Sequence, residues 1–126
     1  MDRTFFIVGS VLAGLAVLLG AFGAHGLRNL VTPESIDTWE KAVSYQMYHA
    51  FAMLILAWVI THWPEQVNLW SLGGWFFFAG TILFSGSLYL LVLSGIKWLG
   101  AITPLGGVAF GIGWLCLVIA TWRAGG

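Results

Sequence analysis

The sequence predicts an all-α membrane protein, with four transmembrane helices in an antiparallel bundle and the second helix extended at its N-terminus outside the membrane. Of its 126 residues, 60% are hydrophobic and 8% charged, about a third of the charge of an ordinary soluble domain. With a mean hydropathy of +0.92, such a chain cannot coat itself against water. Four intervals, residues 4–27, 42–64, 66–96 and 98–122, hold no Asp, Glu, Lys or Arg, and each exceeds the ~20 residues that cross hydrocarbon. In lipid only a helix or a closed barrel satisfies its own backbone. Barrel strands alternate polar and apolar residues, and the run from Phe51 to Ile60 does not. One domain over residues 1–126 follows, with spans at about 5–24, 43–61, 69–94 and 99–122.

The first span carries small residues four apart, Gly9 with Ala13 and then Ala16, Gly20 and Ala24. Such strips let helix backbones approach where lipid removes the hydrophobic drive. Its start imitates a secretory signal, but the apolar run exceeds the usual core of roughly 7–15 residues, so it is expected to be retained. Thr32-Pro33-Glu34 supplies a capping hydroxyl, a proline suited to the first helical position and an acid for the helix dipole. A helix begins there and meets no breaker until Pro64. Glu34, Asp37, Glu40 and Lys41 keep its first turns outside the hydrocarbon. His62 to Gln66 forms a polar link, and Trp58, Trp63 and Trp70 are expected in an interfacial belt. In the third span Gly73, Gly80, Ser87 and Ser94 recur every seven residues, which predicts a close partner along its length. Residues 95–98 turn back into the fourth span. There Pro104 kinks or restarts the helix, and Gly107 and Gly111 form a small-residue pair. The residues expected to pack helices are Gly20, Gly23, Gly80, Ser87, Gly107 and Gly111.

Several function classes drop out. Formal net charge is zero, so no basic surface recommends nucleic acid. Arg3 and Arg123 on the side of the termini against Arg28, Lys41 and Lys97 opposite do not decide orientation. Cys116 is the single cysteine and reads as a small apolar residue. No Asp or Glu lies at membrane depth to orient a histidine base, and Gly20, Gly23 and Gly26 have no strand before them. Glu34, Asp37 and Glu40 read as a solvated helix face. No catalytic residue, metal or cofactor is expected.

The polar concentration at depth is Ser44 to His49. Lys41, Tyr45 and His49 are spaced four apart and share a helix face, with Tyr48 beside them. His25 leaves the first span on the same membrane side. Two readings stand. These groups bond helix to helix, with Tyr45 or Gln46 serving the carbonyls around Gly23 to Gly26. Alternatively, His25, Tyr45, Gln46, Tyr48 and His49 form a quinone, lipid or proton site between the first two helices, since ionisable groups in membranes mark function. A haem between His25 and His49 is disfavoured, because His49 lies roughly 10 Å deeper by helical rise. His62 reads as a headgroup-level residue.

Four blocks in order, Gly20-Ala21-Phe22-Gly23-Ala24-His25-Gly26-Leu27, Trp39-xx-Ala42-xx-Tyr45-Gln46-xx-His49-Ala50, Leu83-Phe84-Ser85-Gly86-Ser87-Leu88-Tyr89 and Ile102-Thr103-Pro104-Leu105-Gly106-Gly107-xx-Phe110-xx-Gly113-Trp114, resemble the YgdD and transmembrane-protein-256-like family (domain of unknown function 423). The likeness spans nearly the whole chain. It implies a small multi-pass protein of the bacterial plasma membrane, with relatives in organelle-bearing cells, and brings no activity or catalytic residue. The expected partners are the lipid bilayer and, through the small-residue faces, a second copy or a larger membrane complex.

Overall fold

A computed structural model describes residues 2–125; the first and last residues of the expected domain lie outside it. Its helices are α1 (Asp2–Ala24), α2 (Pro33–His62), α3 (Val67–Thr81), α4 (Ser87–Ser94) and α5 (Thr103–Ala124). Short 3-10 turns occupy Leu27–Asn29, Pro64–Gln66 and Lys97–Ala101, and a π-helical turn, Ile82–Gly86, joins α3 to α4. Four segments are long and apolar enough to cross a membrane, the third comprising Pro64–Ser94.

The helix boundaries follow local chemistry. Thr32 is extended, and its side chain accepts the Ser35 N–H at 3.2 Å, satisfying a donor that the first turn leaves free. At the far end Pro64 lacks the N–H that would continue α2. Gly95 ends α4 in the left-handed region, φ 73°, and donates its N–H to the Leu91 carbonyl at 2.8 Å. Pro104 lies in the first turn of α5, so it restarts the helix after a 3-10 turn. The regular part of the fourth span therefore begins at Thr103, later than the expected 99.

Contacts run between α1 and α2, between α3 and α5, and between α2 and the α3, π-turn and α4 segment. Within their most apolar stretches α2 is 44% buried and α1 22%, which makes α2 the hub. The side chains of Leu18, Ile55, Leu90 and Leu115 face outward, as lipid contact requires.

Glycines set the closest approaches. A Cβ on Gly9 would stand 2.9 Å from the Ala50 carbonyl oxygen, and one on Gly23 would stand 2.5 Å from Trp39 Cδ1. Along α3 and α5, a Cβ on Gly73 would come 3.1 Å from the Gly113 carbonyl oxygen, and one on Gly80 3.1 Å from that of Gly106. The two pairs share one antiparallel register, so both backbones touch over two turns. Gly20 makes only ordinary contact with Val43, at 3.4 Å, while Gly107 and Gly111 meet nothing within 4 Å. Inside the bundle α5 therefore packs through Gly106 and Gly113, because its rotation turns the Gly107 and Gly111 strip outward.

Two other sequence readings shift. Trp70 is 2% exposed and donates Nε1–H to the Trp63 carbonyl at 3.0 Å, so it clamps the α2–α3 link from within rather than standing in a belt. The third span is not one regular helix. Ser87 does meet α5, but Ser94 is exposed and donates back to Leu90, so the close partner stops short of the end of α4.

Candidate functional site

On α2, Trp39, Ala42, Gln46 and His49 are all buried, and their spacing of three, four and three residues places them on one inward face. A buried polar group costs free energy unless it is bonded, and each of these finds a partner on another helix. Trp39 Nε1–H donates to the Leu19 carbonyl of α1 at 2.8 Å. Gln46 Nε2–H donates to the Leu12 carbonyl of α1 at 2.8 Å, and its Oε1 accepts the Tyr89 hydroxyl of α4 at 2.7 Å. The Ser85 hydroxyl of the π turn donates to the Ala42 carbonyl at 2.6 Å.

His49 is bonded on both ring nitrogens. Nδ1 lies 2.8 Å from the Tyr45 carbonyl, one turn back, and Nε2 lies 3.1 Å from Trp114 Nε1 on α5. Indole can only donate and a carbonyl can only accept, so the pattern assigns a neutral imidazole protonated on Nδ1. The ring stacks on Phe110 with centroids 3.6 Å apart and planes 7° apart. Between α4 and α5, Ser87 Oγ and Thr103 Oγ1 share a hydrogen bond of 2.6 Å. No buried side-chain donor or acceptor among the described residues lacks a partner.

Gln46 and His49 thus sit in the bundle interior. Tyr45 is 37% exposed and stacks on Phe84 of the π turn at 4.5 Å, whereas Tyr48 is 59% exposed on the lipid side. His25 is exposed on the turn after α1, apart from this cluster. The carbonyls served are those of Leu12 and Leu19, deeper than the expected Gly23 to Gly26, because Gln46 and Trp39 face the middle of α1 rather than its end. Trp39, Ser85, Tyr89, Thr103 and Trp114 were not among the nominated site residues. Their common signal is a side-chain donor within a hydrocarbon-length run, which the reading of tryptophans as interfacial anchors obscures.

Three cavities open on the surface. One, of 440 Å³, lies between α2 and the start of α5, with Lys41, Tyr45, Phe84 and Thr103 in its wall. A second, of 450 Å³, is lined by Arg28, Asp37 and Glu40 where α1 ends. The third is an apolar groove of 890 Å³ along Trp114, Val118 and Trp122 of α5. Among the described residues no group of three or more His, Cys, Asp or Glu could hold a metal.

The sequence matches the family model described as "Protein of unknown function (DUF423)" over residues 19–107. It is 51% identical to a UPF0382 membrane protein of Staphylococcus aureus (strain bovine RF122 / ET3-1), over 98% of this chain and 99% of that one. It is 46% identical to the UPF0382 membrane protein YwdK of Bacillus subtilis (strain 168), over 94% of this chain and 95% of YwdK. A UPF0382 membrane protein of Staphylococcus epidermidis (strain ATCC 12228 / FDA PCI 1200) is 48% identical over 98% of this chain and 99% of its own length. No solved structure matches it.

Proposed function

The chain belongs to the DUF423 family of membrane proteins, and from that premise we propose that it is a non-enzymatic accessory component of the bacterial plasma membrane that associates laterally with a second copy of itself. The observation that carries this reading is the outward strip of α5. Gly107 and Gly111 meet nothing within 4 Å, and Trp114, Val118 and Trp122 continue the same helical face along the apolar groove. A Gly-xxx-Gly pair lets a neighbouring backbone come close, and packing of this kind is what draws helices together in lipid. The buried polar groups, by contrast, are consumed in holding the monomer, which favours a structural over a catalytic use. The plasma membrane as location is supported by the Staphylococcus and Bacillus sources of the relatives named membrane proteins.

Site-directed cross-linking in membranes, read alongside co-purification of two differently tagged copies after mild solubilisation, tests the proposal. The wild type forms cross-linked pairs through positions on α5, and Gly107→Leu with Gly111→Leu abolishes them while leaving the monomer folded. A monomeric wild-type particle under these conditions overturns it.

A second reading, binding of a quinone, lipid or proton at the polar site, draws support from one place. Tyr45 lines the cleft beside Lys41, on the α4 and α5 side of α2. His25 does not line it, and His49 and Gln46 are engaged in bonds between helices.

A further inference from the structure

We infer that the cleft between α2, the π turn and the start of α5 is a binding site for one anionic phospholipid, its phosphate on Lys41 and its acyl chain against Tyr45, Phe84 and Leu88. This rests on the ligand-binding reading above and gives that reading a location and a ligand class.

The cleft exists because two helices are interrupted beside it. α5 restarts at Thr103 after the 3-10 turn Lys97–Ala101, and the third span carries its π turn at Ile82–Gly86. Gly100 and Pro104 contribute little bulk to the floor, and the nearest atom to a Cβ on Gly100 would be 4.0 Å away. The opening of 440 Å³ lies within the usual size of small-molecule sites.

Depth and charge select the occupant. Thr38, Lys41 and Tyr45 in the wall descend α2 over about 10 Å at 1.5 Å per residue, from its charged outer turns into the stretch free of charge. The cleft thus runs from headgroup level into hydrocarbon. Lys41 is its only charged lining residue. The acids Asp37 and Glu40 of the same helix segment line the other crevice, with Arg28. The outer turns of α2 therefore present acids towards α1 and a cation towards α5. A fixed cation at headgroup level attracts an anionic lipid and offers a neutral quinone nothing comparable. Below it, the stacked rings of Tyr45 and Phe84, 24° from parallel, form a flat apolar wall for a methylene chain.

The full chain reconstituted in nanodiscs of equal phosphatidylglycerol and phosphatidylcholine, then released for native mass spectrometry, tests this. The wild type retains one phosphatidylglycerol per chain in preference to phosphatidylcholine. Lys41→Gln lowers that preference about fivefold, the scale of one lysine near a charged surface, whereas Lys41→Arg and Lys97→Gln keep it. Leu88→Trp fills the cleft and removes the retained lipid with Lys41 intact. Circular dichroism of each variant verifies folding. Equal retention of the two lipids, unchanged preference in Lys41→Gln, or lipid persisting in Leu88→Trp overturns the inference. A neutral quinone retained in place of lipid overturns it too and leaves the ligand-binding reading standing, while a wild type that retains nothing overturns both.

Discussion

The half of the bundle near the α1–α2 turn is tied by side chains that donate from helix to helix, whereas the half near the termini is dry. In the first, Trp39, Gln46, His49, Ser85 and Ser87 each bond to another segment. In the second, Phe5, Met53, Leu56, Ile60 and Phe77 are buried, and the α3–α5 approach is fixed by Gly73 and Gly113. Lipid tails are as apolar as leucine, so burying apolar surface among helices does not by itself favour one arrangement. Geometry must come from directed bonds or from backbone proximity, and this chain assigns one device to each half. The polar half is also where the helices are interrupted and a cleft opens, so directed bonds hold the parts that close packing leaves apart.

The contrast breaks most sharply in the dry half. Gly113→Leu forces a side chain into Phe77 and the Gly73 carbonyl, and overpacking of this kind costs about 3 kcal/mol. The expected result is loss of the folded monomer in detergent, measured by unfolding in SDS. In the polar half, Gln46→Leu removes two bonds between helices and strands the Tyr89 hydroxyl, at roughly 1–3 kcal/mol. Adding Tyr89→Phe recovers part of that loss, and a double-mutant cycle measures how much. Trp114→Phe keeps the ring against Phe77 and loses only the bond to His49, so its cost is near 0.6 kcal/mol, the average of such bonds in membranes. Gly111→Leu, on the outward strip, changes monomer stability by less than about 0.5 kcal/mol. Stability of Gly111→Leu as low as that of Gly113→Leu would erase the distinction between the two faces of α5.

The fold was legible because charge-free intervals of spanning length have one solution in lipid, and because Thr32, Pro33 and Pro64 mark the ends of α2. The π turn was not, since a change in the hydrogen-bond ladder leaves hydropathy untouched. Nor was the choice between Gly106 with Gly113 and Gly107 with Gly111, as both sets have helical spacing and only the rotation of α5 separates them. Gln46 and His49 stood out as polar groups at depth. Their partners did not, because a backbone carbonyl such as that of Leu12 carries no sequence signature and lies 34 residues away. The cleft beside Lys41 needed three segments brought together by the fold.

The π turn sets an angular phase. Deleting one residue from Ile82–Gly86 would restore a regular helix, yet each residue accounts for about 100° of rotation, so everything from Ser87 onward would swing by more than a quarter turn. Tyr89 would then point away from Gln46, and Ser87 away from Thr103. Length variation in this span is therefore tolerable at its ends and intolerable at this turn, which fixes the handing-over of the third helix from one neighbour to the other.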